Sequence, residues 1–530
     1  MDELFDNILN SKDRESEKRP YDVAANDDDS KRPHTDDESE EEEEEEIDIN
    51  DIDLDQISKE DIDKMLAEAD KMDAPQLDLS GIKRELLHLE RAINENQKLR
   101  LKYASDPSQF EDSEYKLHEQ IKRCSVFATE TKIYPTLVEL NFVDTIVYLL
   151  SHDNILIIIE TTKLLDDLTD DNTILNDRSG NAIQLIDALI AKDIPKMLIS
   201  NLPRLDKESS LHQEGVDSTV NTLSHLLELH PSLLTTYWST DLYSQLLDRL
   251  DVESLDETSL ACSELLFSLA SDSGAIDAMA QKPELVDRLL VLISRWRSKD
   301  PETATEAEIV ENLFNVLCLF IESPTVLPVL REKELMDLLI IPVRKRSYAR
   351  VAAFKAIDYL LSNGDSADAE AFVEKKGLKF IFTALMGKNN GEAGKSWTES
   401  DKMDFESHLL SILAKLLQLP PESIAFKRVM KKFHDDDYEK CDAVLEIAAR
   451  FIHQKQRFDE MVEKGELKVT KQEEEEGITE EEKILEKKIE LGLHVYDLAI
   501  QILQKLTKDE PCNWHIQRKM YEQGWKFALE

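Results

Sequence analysis

The feature that most constrains the fold of this chain is a pair of apolar helix patterns that recurs at a nearly constant interval along its middle. In the first pattern of each pair, an apolar residue is followed about one turn later by two more on the same helical face. The six copies begin at Val143, Ile194, Leu242, Leu285, Leu335 and Leu378. Their starts lie 51, 48, 43, 50 and 43 residues apart, near the spacing of about 40–47 residues in armadillo and HEAT repeats.

A second apolar helix follows each first one. These second helices are predicted over Glu160–Asp170, Val220–His230, Ala261–Ser271, Ile309–Glu322, Val351–Ser362 and Ser407–Leu419. Because one pair cannot bury the apolar faces of both its helices, neighbouring pairs must stack to form a core. The prediction is an all-α, armadillo/HEAT-like, right-handed superhelical solenoid with helical caps and a disordered acidic N-terminal tail.

Composition divides the chain into five segments. Residues 1–56 are predicted to be a disordered tail with basic clusters and an acidic run, since apolar residues are sparse there. Residues 57–130 are expected to form an acidic helix and N-terminal capping helices, residues 131–460 the armadillo-like repeats, and residues 461–478 an acidic loop. In residues 479–530, Thr479 and Glu482 have capping-box spacing. That spacing predicts one long helix to about Lys508, which would cap the C-terminal end together with a closing helix.

The charge of the chain limits its partners. The net charge is −47, and the first 79 residues carry 31 acids against 9 bases. Such a surface repels nucleic-acid backbones and anionic membranes, so neither is expected as a direct partner, whereas proteins with basic segments are favoured. The sequence shows no signal-peptide pattern and no run of 18 apolar residues, so we expect a soluble intracellular protein.

No motif indicates catalysis, a cofactor or a metal site. The five cysteines are odd in number and far apart, which favours buried thiols in a reducing compartment over disulfides. The histidines show no zinc-binding spacing, and the Gly-x-Ser-x-Gly nucleophile motif does not occur in the sequence. We therefore expect no catalytic residues, no cofactor and no metal ligands.

Two short basic clusters in the acidic tail predict nuclear import. They are Lys18-Arg19 and Lys31-Arg32-Pro33, and extended basic side chains of this kind bind in the acidic groove of an import receptor. These two groups are termed the basic clusters. Thr35 and Ser39 are each followed by three acids, a context suited to an acid-directed kinase, so both are candidate phosphorylation sites.

A partner groove is expected along the second helix of each pair, because that helix lines the concave face of an armadillo stack. The polar candidates on these helices are Glu160, Asp166, Asp167, Asn221, Glu228, Glu264, Glu311 and Asn315. Carboxylates spaced along such a face attract the lysines and arginines of an extended peptide, and amides bond to its backbone. The alternative for each single residue is an ordinary solvated position on an acidic protein.

Particular stretches resemble a known family. Residues 137–154, LVELNFVDTIVYLLSHDN, continuing to Leu165–Asp170, are similar to the armadillo core of the beta-catenin-like protein 1 family. The helix Lys83–Lys102, followed by Pro107–Glu114, resembles the N-terminal cap of that family, and the basic-then-acidic tail is a shared trait. The resemblance points to a fungal or other lower-eukaryote member.

This resemblance implies a non-catalytic nuclear scaffold in pre-mRNA splicing, associated with the Prp-nineteen-type complex of the spliceosome. The implied partners are proteins with basic localisation-signal-like segments, among them a Myb-like splicing factor of that complex, and a nuclear import receptor; a homodimer is left open. One alternative is an importin-alpha-like transport adaptor, which needs a strongly basic N-terminal helix where this chain is acidic. A helical hydrolase is another, and the sequence offers no ionisable cluster for one.

Overall fold

The computed structural model describes residues 79–529, except for residues 171–173, 175, 176, 178, 206–208, 273, 275, 278–280, 388–397 and 470–478. The basic clusters, the two candidate phosphorylation sites and the acidic helix expected before residue 79 lie outside the described residues. Within the described residues all regular structure is helical and no strand occurs, which confirms the predicted all-α class.

Three helices precede or open the stack. Helix α1 (Leu79–Lys102) and helix α2 (Glu111–Arg123) pack against each other. Helix α3 (Tyr134–Glu139) follows and begins the first repeating unit. Because α2 also packs on the long helix of that unit, α1 and α2 cover its outer side, as expected for an N-terminal cap.

Six units then repeat, and all but the fourth are described as three helices. Unit I is α3, α4 (Phe142–Leu150) and α5 (Ile155–Leu168). Unit II is α6 (Asn181–Ala191), α7 (Ile194–Asn201) and α8 (Ser210–Leu229). Unit III is α9 (Leu233–Trp238), α10 (Leu242–Leu250) and α11 (Glu257–Leu269). Unit IV is described as α12 (Pro283–Arg295) and α13 (Ala304–Glu322). Unit V is α14 (Leu327–Glu332), α15 (Leu335–Lys345) and α16 (Arg350–Asn363). Unit VI is α17 (Ser366–Glu374), α18 (Gly377–Leu385) and α19 (Glu399–Leu416).

Both predicted helices of every pair are confirmed in units I to VI. What the sequence pattern did not separate is the short first helix of each unit. In four units a single residue with positive φ joins it to the next helix: Asn141, Asp193, Glu334 and Lys376. Such a one-residue turn reverses the chain direction tightly, and asparagine and aspartate tolerate this conformation better than glutamate or lysine do.

The C-terminal part differs from the prediction at two points. The expected single helix from Thr479 to about Lys508 is wrong, because α23 (Glu480–Glu490) and α24 (Leu493–Leu506) are separated at Gly492, whose φ is +69°. A Cβ at that position would lie 2.6 Å from Phe451 Cε1, so glycine permits the close approach. The Thr479–Glu482 capping box itself is confirmed. Helix α22 (Ile452–Lys464) also extends into the segment expected to be an acidic loop.

Helix α24 continues the stack past residue 460. After α20 (Ile424–His434) and α21 (Glu439–Arg450), it packs on both α19 and α21, in the position of a long third helix. Helix α25 (Glu510–Gln523) then packs on α20, α21 and α24. We term the long closing helices of the units the third helices; they are α5, α8, α11, α13, α16, α19 and α24, and each packs on the next in this order.

The core between the helices is built mainly from leucine, isoleucine and valine. Leu149, Leu165 and Leu223 are fully buried between consecutive helices. No single described helix is long and apolar enough to cross a bilayer; the segments Thr131–Glu139 and Phe142–Leu150 meet that test only as a pair bent by 81°.

A recurring arginine connects successive units. Arg249 on α10 donates from Nη2 to the carbonyls of Leu202 (2.9 Å) and Leu205 (2.7 Å), just after α7 of the preceding unit. Arg204 makes the same kind of contact one unit earlier, with the carbonyl of Asp153 at 2.8 Å. Arg295 does so one unit later, with the carbonyl of Val252 at 3.3 Å. These carbonyls lie just beyond the ends of α4, α7 and α10, so each arginine joins its own unit to the preceding one.

Candidate protein-binding surface

All eight predicted groove residues lie on third helices: Glu160, Asp166 and Asp167 on α5, Asn221 and Glu228 on α8, Glu264 on α11, and Glu311 and Asn315 on α13. They differ, however, in what surrounds them. Some are bonded to the neighbouring helix, and others are exposed. This difference decides which of them can meet a partner.

Glu160 is an internal residue. The residue is 9% exposed, and its carboxylate lies 3.3 Å from His118 Nε2 on α2. Burial by itself raises the pKa of Glu160, but the hydrogen bond and charge of His118, with Lys163 and Lys122, outweigh it and lower the pKa. The carboxylate therefore joins the N-terminal cap to unit I.

Asp166 is likewise engaged within the protein. Asn221 Nδ2 donates to it at 3.4 Å, and His225 Nδ1 lies at 3.9 Å, both from α8. Burial raises the pKa of Asp166 to about 6, against the opposing effects of His225 and of the hydrogen bonds from Asn221 and Ser218. Asn221 and Asp166 thus hold α5 and α8 together.

The polar contacts continue along the later units. Tyr348 Oη donates to Glu311 at 2.7 Å, and Lys355 Nζ donates to Asn315 Oδ1 at 2.8 Å. Between α16 and α19, His408 Nδ1 lies 2.8 Å from Asp358. We term this series of contacts between neighbouring units the polar ladder. Its partner residues were not predicted, because each lies roughly one repeat away in sequence; the repeat spacing itself is the signal that could have indicated them.

Four of the predicted carboxylates are exposed, namely Asp167, Glu228, Glu264 and Glu311, and Glu311 accepts the hydrogen bond from Tyr348. Glu264 has two further exposed glutamates beside it, Glu257 on the same helix and Glu308 on α13. Partial burial raises the pKa of Glu264, and the charges of Glu308 and Glu257 raise it further. Within the described part of the chain, none of these three glutamates forms an ion pair. We term Glu257, Glu264 and Glu308 the acidic patch.

A cavity of about 420 Å³ lies between units II and III, and its lining includes Val216, Leu246, Arg249 and Cys262. Burial raises the pKa of the Cys262 thiol to about 12. A thiol in this state stays protonated and is a poor nucleophile, so this cysteine gives the cavity no catalytic character. A group able to hold a metal ion, His434, Asp509 and Cys512, lies on α20 and α25 and not on the third helices.

An all-helical stack whose third helices carry a polar surface defines an armadillo-type scaffold. Residues 60–529 match the family model described as "Catenin-beta-like, Arm-motif containing nuclear", and the chain belongs to this family. Beta-catenin-like protein 1 from Homo sapiens and from Rattus norvegicus are each 32% identical to it over 393 residues, which are 73% of this chain and 68% of each relative.

The similarity extends beyond mammals and to solved structures. The beta-catenin-like protein 1 homolog of Schizosaccharomyces pombe is 29% identical over 388 residues, 72% of this chain and 65% of the relative. A solved chain from a study of the interaction between cadherin and beta-catenin superposes with a TM-score of 0.50 at 12% identity, over 85% of this chain and 77% of that one. This likeness confirms the armadillo fold; the importin-alpha-like alternative gains no support from the comparisons.

Proposed function

We propose that this protein is a non-catalytic nuclear scaffold that binds basic segments of partner proteins on its third helices. The observation that supports this function best is the acidic patch. Three carboxylates on adjacent helices, α11 and α13, repel one another. A lysine or arginine placed among them relieves this repulsion and adds charge-assisted hydrogen bonds.

The partner class follows from this charge and from the family. An extended basic peptide meets the acidic patch, while the amides and hydroxyls of the polar ladder supply hydrogen bonds beside it. The resemblance described in the sequence analysis suggests a Myb-like splicing factor of the Prp-nineteen-type complex as one such partner, with a role in pre-mRNA splicing, and the matching family model is described as nuclear. Beta-catenin, which shares the fold, interacts with cadherin, and that interaction is an example of protein binding by this architecture.

The binding site is tested by titrating a basic localisation-type peptide against the full chain at increasing salt. The affinity is expected to fall steeply as ionic strength rises, because the attraction is between exposed charges. The double variant Glu264→Lys with Glu308→Lys is expected to weaken binding by at least about tenfold, the equivalent of about 1.4 kcal/mol.

A matched control carries the same change of net charge elsewhere. Glu332→Lys with Glu370→Lys alters two exposed glutamates on α14 and α17, which are first helices. This control should bind the peptide nearly as well as the native chain. If both double variants weaken binding equally, the overall charge and not the acidic patch attracts the peptide, and the proposed site is wrong.

The proposed nuclear partner is tested separately. The tagged chain is expressed in cells of the organism from which it comes and is immunoprecipitated from nuclear extract. The precipitate is then probed for the Myb-like factor. Co-precipitation with the native chain that is lost with the Glu264→Lys, Glu308→Lys variant is the expected result. Recovery of the factor with both chains would place its contact outside the acidic patch.

A further inference from the structure

Four side chains from three C-terminal helices meet at one point of the fold. His434 ends α20, Cys441 lies in the first turn of α21, and Asp509 and Cys512 begin α25. The ligand atoms of His434, Asp509 and Cys512 all lie within 4.8 Å of one another. His434 Nε2 is 2.8 Å from Asp509 Oδ2, and the thiol of Cys512 is in contact with that of Cys441.

The burial of this group is graded. Cys441 and Cys512 are fully buried, whereas the side chains of His434 and Asp509 are about one-third exposed at 36% and 30%. The two thiols are therefore closed off from solvent, whereas an ion can reach the imidazole and the carboxylate from solvent. Two sulfurs, one imidazole nitrogen and one carboxylate oxygen make a donor set suited to a tetrahedral zinc ion.

We propose that His434, Cys441, Asp509 and Cys512 bind a zinc ion that fastens α25 to α20 and α21. In a tetrahedral site with metal–ligand distances of about 2.0–2.3 Å, neighbouring ligand atoms lie roughly 3.3–3.8 Å apart. The ligand atoms of His434, Asp509 and Cys512, which now lie within 4.8 Å of one another, need to contract by up to about 1.0–1.5 Å to reach this spacing. Cys441 joins the site through the contact of its thiol with that of Cys512. Zinc is preferred over magnesium or calcium because sulfur and nitrogen are poor ligands for those ions.

Charge and proton balance favour a dication at this place. Binding converts two thiols to thiolates and releases two protons to solvent, while His434 gives up its contact with Asp509 and bonds zinc through Nε2. Two thiolates and one carboxylate then bring the complex to a net charge of about −1.

The backbone between the first two ligands is independently unusual. Asp436, Asp437 and Tyr438 all have positive φ, between 53° and 63°. Each such residue costs roughly 1–2 kcal/mol. This turn joins His434 to Cys441, and the Tyr438 ring packs edge-on against His434 at 5.9 Å. A metal ion bound by the residues at both ends of this turn would stabilise its positive-φ conformation, which is otherwise unfavourable.

The test uses the full chain purified without a metal-binding tag and under reducing conditions. After equilibration with zinc and dialysis against metal-free buffer, elemental analysis is expected to find about one zinc per chain. Cobalt added to the zinc-free protein should give thiolate-to-metal charge-transfer absorption and the strong visible bands of tetrahedral cobalt. Competition with a coloured chelator then measures the zinc affinity of each variant.

His434→Gln and Cys512→Ser are expected to lower zinc affinity by at least about tenfold, since even second-shell changes cost 10–100-fold. Cys262→Ser, which alters an equally buried thiol on α11, should bind zinc like the native chain. Thermal unfolding of each variant shows whether it is folded, and the more exposed His434 provides a variant that should fold even if Cys512→Ser does not.

Three results would overturn the proposal. The first is less than about a tenth of a zinc per chain while the reduced thiols are intact. The second is zinc binding that is unchanged in both ligand variants. The third is a Cys441–Cys512 disulfide, detected as a cross-linked peptide by mass spectrometry of the freshly isolated, unreduced chain. That bond would assign the two adjacent thiols to redox chemistry and not to metal binding.

Discussion

The contact between Arg249 and unit II gives the sharpest test of how the units are held together. The guanidinium donates to the two carbonyls of Leu202 and Leu205 that follow α7. Replacing Arg249 with methionine keeps most of the apolar stem but removes both hydrogen bonds. The stability of such a stack is approximately a sum of the stabilities of its units and of the interfaces between neighbours. The lost hydrogen bonds therefore weaken the interface between units II and III.

The magnitude follows from the geometry. A hydrogen bond from a charged group contributes about 1.5–3 kcal/mol, but both bonds here share one nitrogen and one half-buried side chain. We expect Arg249→Met to lower the free energy of unfolding by about 2–3 kcal/mol, a change of roughly 30- to 150-fold in the unfolding equilibrium constant. Arg249→Lys should recover part of this loss, because an ammonium group keeps the charge without the planar fork.

Arg295→Met is the matched control at the next interface. The Arg295 side chain is 41% exposed and is paired with the exposed Asp251, so water replaces much of what is lost. Its cost is expected to stay below about 1 kcal/mol.

Urea denaturation followed by circular dichroism measures both variants, and hydrogen exchange locates the weakened interface. For Arg249→Met, faster exchange should be concentrated in α7, α8 and α10. The reasoning is refuted if Arg249→Met unfolds within about 0.5 kcal/mol of the native chain, or if Arg295→Met costs as much as Arg249→Met does.

Four further results are expected. Gly215→Ala should destabilise the chain by about 1–3 kcal/mol despite better helix propensity, because its Cβ would lie 2.8 Å from the buried Ile159 Cγ1; a higher melting temperature would contradict this. Asp166→Asn should gain stability relative to the native chain as pH rises from 4 to 6. The reason is that burial raises the pKa of Asp166 from 3.8 to about 6, so the folded native chain binds the Asp166 proton more tightly than the unfolded chain does. The native chain therefore loses stability as this proton dissociates with rising pH, whereas the asparagine variant has no such proton to lose. Parallel stability–pH profiles of the two chains would argue against the pKa shift. A chain starting at Gln76 keeps every described helix and should melt within a few degrees of the full chain, as differential scanning calorimetry can show. Alanine at the lysines and arginines of the basic clusters should abolish nuclear enrichment of a fluorescent fusion, and unchanged enrichment would rule them out as the import signal.

The long helices were predictable because their information is local. In α8 and α13 the apolar residues recur with the period of a helix, and the capping box of Thr479 and Glu482 specifies where α23 begins. The break at Gly492 was missed because an isolated glycine between helical patterns does not reveal whether the chain turns there. The Phe451 ring, 41 residues earlier in the chain, leaves no room for a Cβ at this turn, and sequence alone gives no sign of that contact.

From the sequence, the polar groups could be placed on the third helices, but it could not be predicted which of them are available to bind a partner. Glu160 and Glu264 have the same side chain and similar helical surroundings in sequence. Only the stacking of units brings His118 to Glu160 and brings Glu308 to Glu264. The same limit applies to His434 and Cys512, which lie 78 residues apart in the chain and meet through the packing of α25 on α20.

This ranking has a direct consequence for where a basic partner binds. A ligand lysine that approached Glu160 would have to displace His118 from a buried carboxylate, and the lost hydrogen bond would offset the new one. At the acidic patch Glu257 accepts an exposed 2.8 Å hydrogen bond from the Thr305 hydroxyl, whereas Glu264 and Glu308 form no ion pair within the described residues. An incoming positive charge lowers the repulsion among the three carboxylates. We therefore expect the strongest attraction on α11 and α13, in the middle of the stack, although the sequence offered eight positions of equal standing. On the proposed function, a basic segment bound there would extend toward the polar ladder on either side.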